Sequence, residues 1–252
     1  MDGPTAGFFV FACLASAASV GAVAHARLPN GMMTEQTALI IRRGVWIIAI
    51  MAGIMLSALT VYLKTHFDAA SRDVRAFSYQ LVDLDQTLRR IGPEAEPTRA
   101  LLFRFAARTM KDVWPESDPR LGPDDTHASR LFADLESAAA RLEGGTTAQR
   151  ELVAAARRQL QEIRRGRWTL DVPTGQAVSP WMLSLLVLWL MLTFGSFGLS
   201  SRRSRLVLSV LLVCAAALSS AVFLAVEYAD PYQGIIVVSS EPLRNALFTL
   251  SD

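Results

Sequence analysis

Lys64, His66 and Asp68 follow directly on an apolar run, where they would stand at the mouth of a membrane passage. In a symmetric oligomer, Lys64 and His66 would repeat once per subunit as a charged ring. A ring of lysines favours anions, and Asp68, one helical turn beyond Lys64, offsets that charge. Just upstream, Ile47, Met51 and Met55 recur at fourfold spacing, with Ile50 and Ile54 beside them. Such a face serves for lipid contact, or as an apolar constriction that closes a narrow pore by excluding water. Ala49, Gly53 and Ser57 form a second, small-residue ridge suited to close helix contact.

Enzymatic chemistry finds no support in this chain. The three histidines, His25, His66 and His127, lie in different regions, and none has a Cys or His partner at zinc-site spacing. There is no phosphate-binding glycine loop and no nucleophile elbow. Asp83/Asp85, Glu94/Glu96 and Asp124/Asp125 read as helix surface or turn residues. No enzyme activity, cofactor or metal is expected. A proton- or ion-coupled transporter would be expected to carry ionisable groups inside its spans. Here the spans offer only scattered hydroxyls such as Ser57, Thr60, Ser184 and Thr193.

Those spans are four apolar runs, 7–24, 45–63, 181–199 and 206–226, none of which contains Asp, Glu, Lys or Arg. Each has the length a helix needs to cross a bilayer, roughly 17–25 residues. A helix satisfies its own backbone in lipid, so the runs read as membrane helices rather than core strands. The first lacks the basic start of a signal peptide and reads as a retained span. Of 252 residues, 52% are hydrophobic and 19% charged, and the charge is concentrated in 64–171. The net charge of +2 comes without a Lys/Arg block, so no nucleic-acid partner is expected. Cys13 and Cys214 both lie in apolar runs and read as small packing residues.

A connector, 25–43, carries the turn markers Pro29, Asn30 and Gly31. From the second span onward, Phe67, Ala70, Val74, Phe77, Leu81, Leu84, Leu88 and Ile91 recur at steps of three and four, a sustained heptad seam. Gly92-Pro93 ends it. One helix is therefore expected over 45–91, roughly 70 Å long at 1.5 Å per residue. The seam serves either the core of a bundle within one chain or contact between copies around a symmetry axis. Further helices are expected over 97–113, 128–142 and 147–165, the last opened by a Thr146/Gln149 capping box. A Pro/Asp/Gly-rich loop covers 116–125, and a linker, 166–178, leads to Ser179-Pro180 as the start of the third span. Arg202, Arg203 and Arg205 mark a tight basic turn between the last two spans.

Four spans put both termini and the middle region on one face. The short connectors hold Arg27, Arg42, Arg43, Arg202, Arg203 and Arg205, which weakly favours connectors inside and the middle region outside.

The tail has its own pattern. Glu227, Asp230, Pro231, Tyr232 and Gly234 leave the fourth span, 235–238 is a short extended apolar piece, and Ser239-Ser240-Glu241-Pro242-Leu243 opens a helix. This tail, together with Ala26-Arg27-Leu28-Pro29, Gly92-Pro93-Glu94 and Trp114-Pro115, resembles the bestrophin-like bacterial membrane proteins across essentially the whole chain. The resemblance implies a homopentameric ion channel in the bacterial inner membrane, with the second span lining the pore and the helical region and both termini in the cytoplasm. It outweighs the charge reading. Tyr232-Gln233-Gly234 stands where bestrophins carry Phe-Gly. The acidic cluster that binds calcium in animal bestrophins is missing, with only Glu227 and Asp230 nearby, so calcium activation is not expected. The expectation is an all-α membrane protein with a two-plus-two span arrangement. It divides into a first hairpin (1–63), a soluble helical bundle (64–178), a second hairpin (179–227) and a docking tail (228–252). The partners expected are lipid, small ions and further copies of the chain. A non-conducting scaffold or sensor, relaying signals along the long helix, is the other reading.

Overall fold

The computed structural model describes residues 3–27, 35–114, 128–171, 180–200, 205–232 and 234–251. Among these it contains eight α-helices: α1 (Gly3–Arg27), α2 (Glu35–Ile91), α3 (Glu96–Val113), α4 (Ala128–Arg141), α5 (Thr147–Asp171), α6 (Pro180–Ser200), α7 (Arg205–Ala229) and α8 (Glu241–Ser251). One 3₁₀ turn, Pro93–Ala95, joins α2 to α3, and the described residues form no strand. Four of the helices are long and apolar enough to cross a membrane: α1, the first part of α2, α6 and α7. The all-α, four-span expectation is therefore met.

The chain forms two compact units, Met1–Phe67 with Thr174–Val237, and Asp68–Pro173 with Val238–Asp252. In the first, Val10, Leu14 and Ala18 of α1 pack with Ala52, Leu56, Leu59 and Leu63 of α2, Leu186, Leu190 and Phe194 of α6, and Ala215, Val222 and Ala225 of α7. Lipid is as apolar as these side chains, so close packing rather than water exclusion holds such helices together. The tightest approach is between α1 and α6. A Cβ at Gly198 would collide with the Ala18 carbonyl, and one at Gly21 would meet Leu199 N at 2.9 Å. Gly195 and Gly198 thus serve helix packing, as their place inside a span predicts. Cys214, in contrast, is exposed on α7 and fills no packing position.

The second unit is built on the heptad seam. Ala70, Val74, Phe77, Leu81, Leu84, Leu88 and Ile91 are all buried within the single chain. The seam is the core of a bundle within the one chain. Phe77 and Phe105 meet edge-on, with centroids 6.3 Å apart, and Phe105 meets Phe132 at 5.1 Å. Asp85, 1% exposed, is held by Arg89 Nε at 2.6 Å and Arg99 Nε at 2.8 Å. Arg89 also donates to the Thr249 carbonyl at 2.9 Å, which ties α8 to α2. The capping box forms as expected: Thr146 N donates to Gln149 Oε1 and Gln149 N to Thr146 Oγ1, each at 3.2 Å.

Two helices run well past their expected bounds, and the tail piece is less buried than expected. The second helix begins at Glu35 rather than 45, because 35–43 is made of helix formers with no Gly or Pro. α5 continues to Asp171, through a glycine expected to open a linker. Gly166 lies where α5 passes close to α2: a Cβ there would meet Gln80 Oε1 at 2.9 Å and Phe77 Cδ2 at 3.5 Å. Its small size serves packing rather than helix termination. Of the extended piece, only Val238 is buried, while Ile235 and Val237 are exposed. The turn at Pro29, Asn30 and Gly31, the loop 116–125, the cap Ser179 and the basic turn at Arg202 and Arg203 lie outside the described residues.

Candidate functional site

Within the first unit α2 has two faces of opposite character. Ala52, Leu56, Leu59 and Leu63, at steps of four, three and four, turn into the core. The opposite face carries Ile47, Ile50, Met51, Ile54 and Val61, all exposed; Ile54 is 60% and Val61 63% accessible. Met55 sits at the flank, half-buried against the core. Four of the five constriction candidates therefore share the exposed apolar stripe, and Met55 borders it. Val61 belongs to the same stripe and is absent from the sequence expectation. It lies seven residues after Ile54, so extending the same spacing by two turns finds it. Among the described residues, the Ala49/Gly53/Ser57 ridge meets no other helix at Gly53, where an added Cβ would have nothing within 4 Å.

The three ionisable residues do not act as one group. The Lys64 ammonium lies 5.5 Å from the ring centroids of both Phe67 and Tyr228, which face each other edge-on at 5.3 Å. Aromatic faces attract a cation, so this contact ties the end of the second span to the end of the fourth. At 3.6 residues per turn, Lys64 lies roughly 60° around the helix from Val61. His66 stacks loosely on Tyr62, with centroids 6.5 Å apart, and its Nδ1 is buried without a hydrogen-bond partner among the described residues. It lies roughly 120° from Ile54, off the exposed stripe, whereas Asp68 lies within roughly 40° of it.

The tail residues divide into two sets. Glu227, 3% exposed, closes α7, and its Oε1 accepts the backbone N–H of Ile235 and, at 3.1 Å, that of Ile236. Asp230 Oδ1 accepts the Tyr232 N–H at 3.3 Å across the turn, with Pro231 buried. Gly234 has φ +114°, and a Cβ there would collide with Glu227 Oε1. Pro242 and Leu243 belong to the second unit. Leu243 is buried, and Pro242 lines a groove of about 520 Å³ between α2 and α8, together with Ser71, Arg75, Tyr79 and Asn245. Glu227 is the centre of the first set; no sequence spacing points to Gly3, which also approaches its carboxylate. Among the described residues, no group of three or more His, Cys, Asp or Glu side chains could hold a metal ion.

The Bestrophin-like domain matches this chain across residues 12–243. The chain belongs to the bestrophin-like family. Solved structures of a bacterial bestrophin homologue from Klebsiella pneumoniae share the fold of this bestrophin-like chain. A tyrosine-to-alanine variant superposes with a TM-score of 0.69 at 14% identity, covering 96% of each chain. A tryptophan-to-alanine variant gives 0.69 at 15% identity, covering 98% of this chain and 97% of the other. At such identities the likeness is one of fold. No curated protein matches the sequence.

Proposed function

We propose that this bestrophin-like chain is one subunit of a cyclic homo-oligomeric ion channel, a pentamer, whose axis is lined by α2. Membership of a channel family favours a channel over an enzyme. The observation that carries the reading is the exposed stripe of Ile47, Ile50, Met51, Ile54 and Val61. It lies on a helix whose opposite face is already spent on the subunit's own core. Apolar rings of this kind close a narrow pore by dewetting and discriminate weakly between ions. Selectivity then falls to the mouth, where Lys64 and Asp68 lie one turn apart and largely offset each other. The oligomer sits in the bacterial inner membrane with the helical region and both termini in the cytoplasm. It binds lipid and small ions and takes no nucleic acid.

The second reading is a non-conducting scaffold or sensor. It is favoured by the unbroken run of α2 over 57 residues, which would relay motion stiffly. Two measurements on the purified protein decide. Mass in detergent and in lipid should give a pentamer, and planar bilayers should carry current. A monomer or simple dimer sinks the channel; intact oligomers that carry no current favour the scaffold.

A further inference from the structure

Glu227 presents an unusual situation for a carboxylate at the end of an apolar span. It is 3% exposed, and among the described residues no basic side chain pairs with it. A buried charge is tolerated only where hydrogen bonds replace water. Here two successive backbone N–H groups, from Ile235 and Ile236, converge on Oε1. Successive amides after a residue of positive φ form a concavity suited to an anion, and Gly234, at φ +114°, supplies that residue. The other oxygen, Oε2, faces the opposite end of the chain. A Cβ built on Gly3 would collide with Oε2 and would lie 3.2 Å from the Phe223 ring. Gly3 opens α1, whose first N–H groups lack intrahelical acceptors and carry partial positive charge. Two glycines, more than 200 residues apart in sequence, thus clear space for the two oxygens of one carboxylate.

We propose that Glu227 is a conformational latch: its carboxylate joins the tail turn around Gly234 to the first turn of α1, and its loss frees both. The latch stands apart from ion conduction and would hold in a channel or a scaffold alike. Its bonds are made to backbone rather than to side chains. The identity of residues 235 and 236 therefore matters little, while the lack of a side chain at 3 and 234 matters a great deal.

Hydrogen–deuterium exchange on the full chain in lipid nanodiscs tests it, comparing the parent with Glu227→Gln, which keeps shape and removes charge. First-turn amides of a helix have no acceptor of their own. Protection at 3–6 therefore has to come from outside the helix's own hydrogen-bond ladder, and its dependence on residue 227 tests the link. In Glu227→Gln, exchange should accelerate about tenfold or more at 234–237 and at 3–6, with 77–106 unchanged. Gly234→Ala, which drives a methyl into Oε1, should reproduce that pattern. Unchanged exchange at 234–237 overturns the latch. So does acceleration there with 3–6 still protected, because the two ends are then not joined. Equal acceleration at 77–106 also overturns it, since the residue would then be a general stabiliser.

Discussion

The indole Nε1 of Trp114 donates to the carbonyl oxygen of Val238 at 3.0 Å, with both residues buried. The bond joins the end of α3 to a residue three positions before α8. Trp114→Phe keeps an aromatic ring, though a smaller one, and leaves that carbonyl without this donor. An unsatisfied buried acceptor costs about 1–3 kcal/mol. Thermal unfolding should show the loss, and proteolysis should release the tail near 238 before the rest of the second unit opens.

Asp85 is the buried charge on which Arg89 and Arg99 converge. Asp85→Ala takes from Arg99 its buried partner and leaves it only the exposed Glu96; breaking a buried pair costs about 3–5 kcal/mol. The lower end is expected, because Arg89 is more than a third exposed and water compensates it. Chemical denaturation of the parent and the variant measures the difference.

The same pair makes a pH prediction. The Asp85 hydrogen bond holds the Arg99 guanidinium above its ordinary value, with Glu96 adding a smaller contribution. A raised value means that the stability is fully present below the unfolded arginine range and is lost only as pH climbs through the higher folded value. Between pH 7 and 10, the stability difference between the parent and Asp85→Ala should therefore stay constant. A difference that shrinks across that window would contradict the Arg99–Asp85 bond.

For the channel, Ile54→Ala and Val61→Ala remove bulk from the exposed stripe and should raise single-channel conductance, as should Met51→Ala. Leu59→Ala, on the core face of the same helix, should lower stability by about 2–5 kcal/mol without that gain. Bilayer recordings with matched protein amounts separate the two faces. Equal currents in all three stripe variants would remove α2 from the pore lining.

Lys64→Glu should move the reversal potential under a salt gradient towards cations, and Asp68→Asn should move it towards anions. The Lys64 ammonium is held beside Phe67 and Tyr228. Tyr228→Leu removes one of these two rings and should shift the reversal potential in a protein that still assembles. Three unaltered reversal potentials would place selectivity elsewhere.

Most of the architecture is legible in the sequence because it rests on periodicity and length. Apolar runs of membrane length, the seam from Ala70 to Ile91 and the Thr146/Gln149 box are local patterns with one physical meaning each. Gly166 misleads because a glycine that breaks a helix and one that admits a neighbouring helix look the same in sequence. The seam leaves open whether it packs within or between chains, since heptads suit both. At the site, the exposed stripe could be read from spacing once the core face was known. The partners of Lys64 and Glu227 could not, because Tyr228 and Gly3 are brought to them from distant parts of the chain by the fold.

The close approach of α1 and α6 at Gly21 and Gly198 bears on how the protein is made. These glycines are about 180 residues apart, and synthesis proceeds at about 5–20 residues per second. The first helix therefore spends about 10–35 s in the bilayer before its main partner leaves the ribosome. Through that interval its small-residue face meets only lipid or the translocation machinery. The α1–α6 contact therefore forms late, after insertion of both helices, and a bulky residue at Gly21 or Gly198 would leave α1 inserted but unable to dock on α6. Such a defect would be seen in the cell as normal membrane targeting followed by rapid degradation.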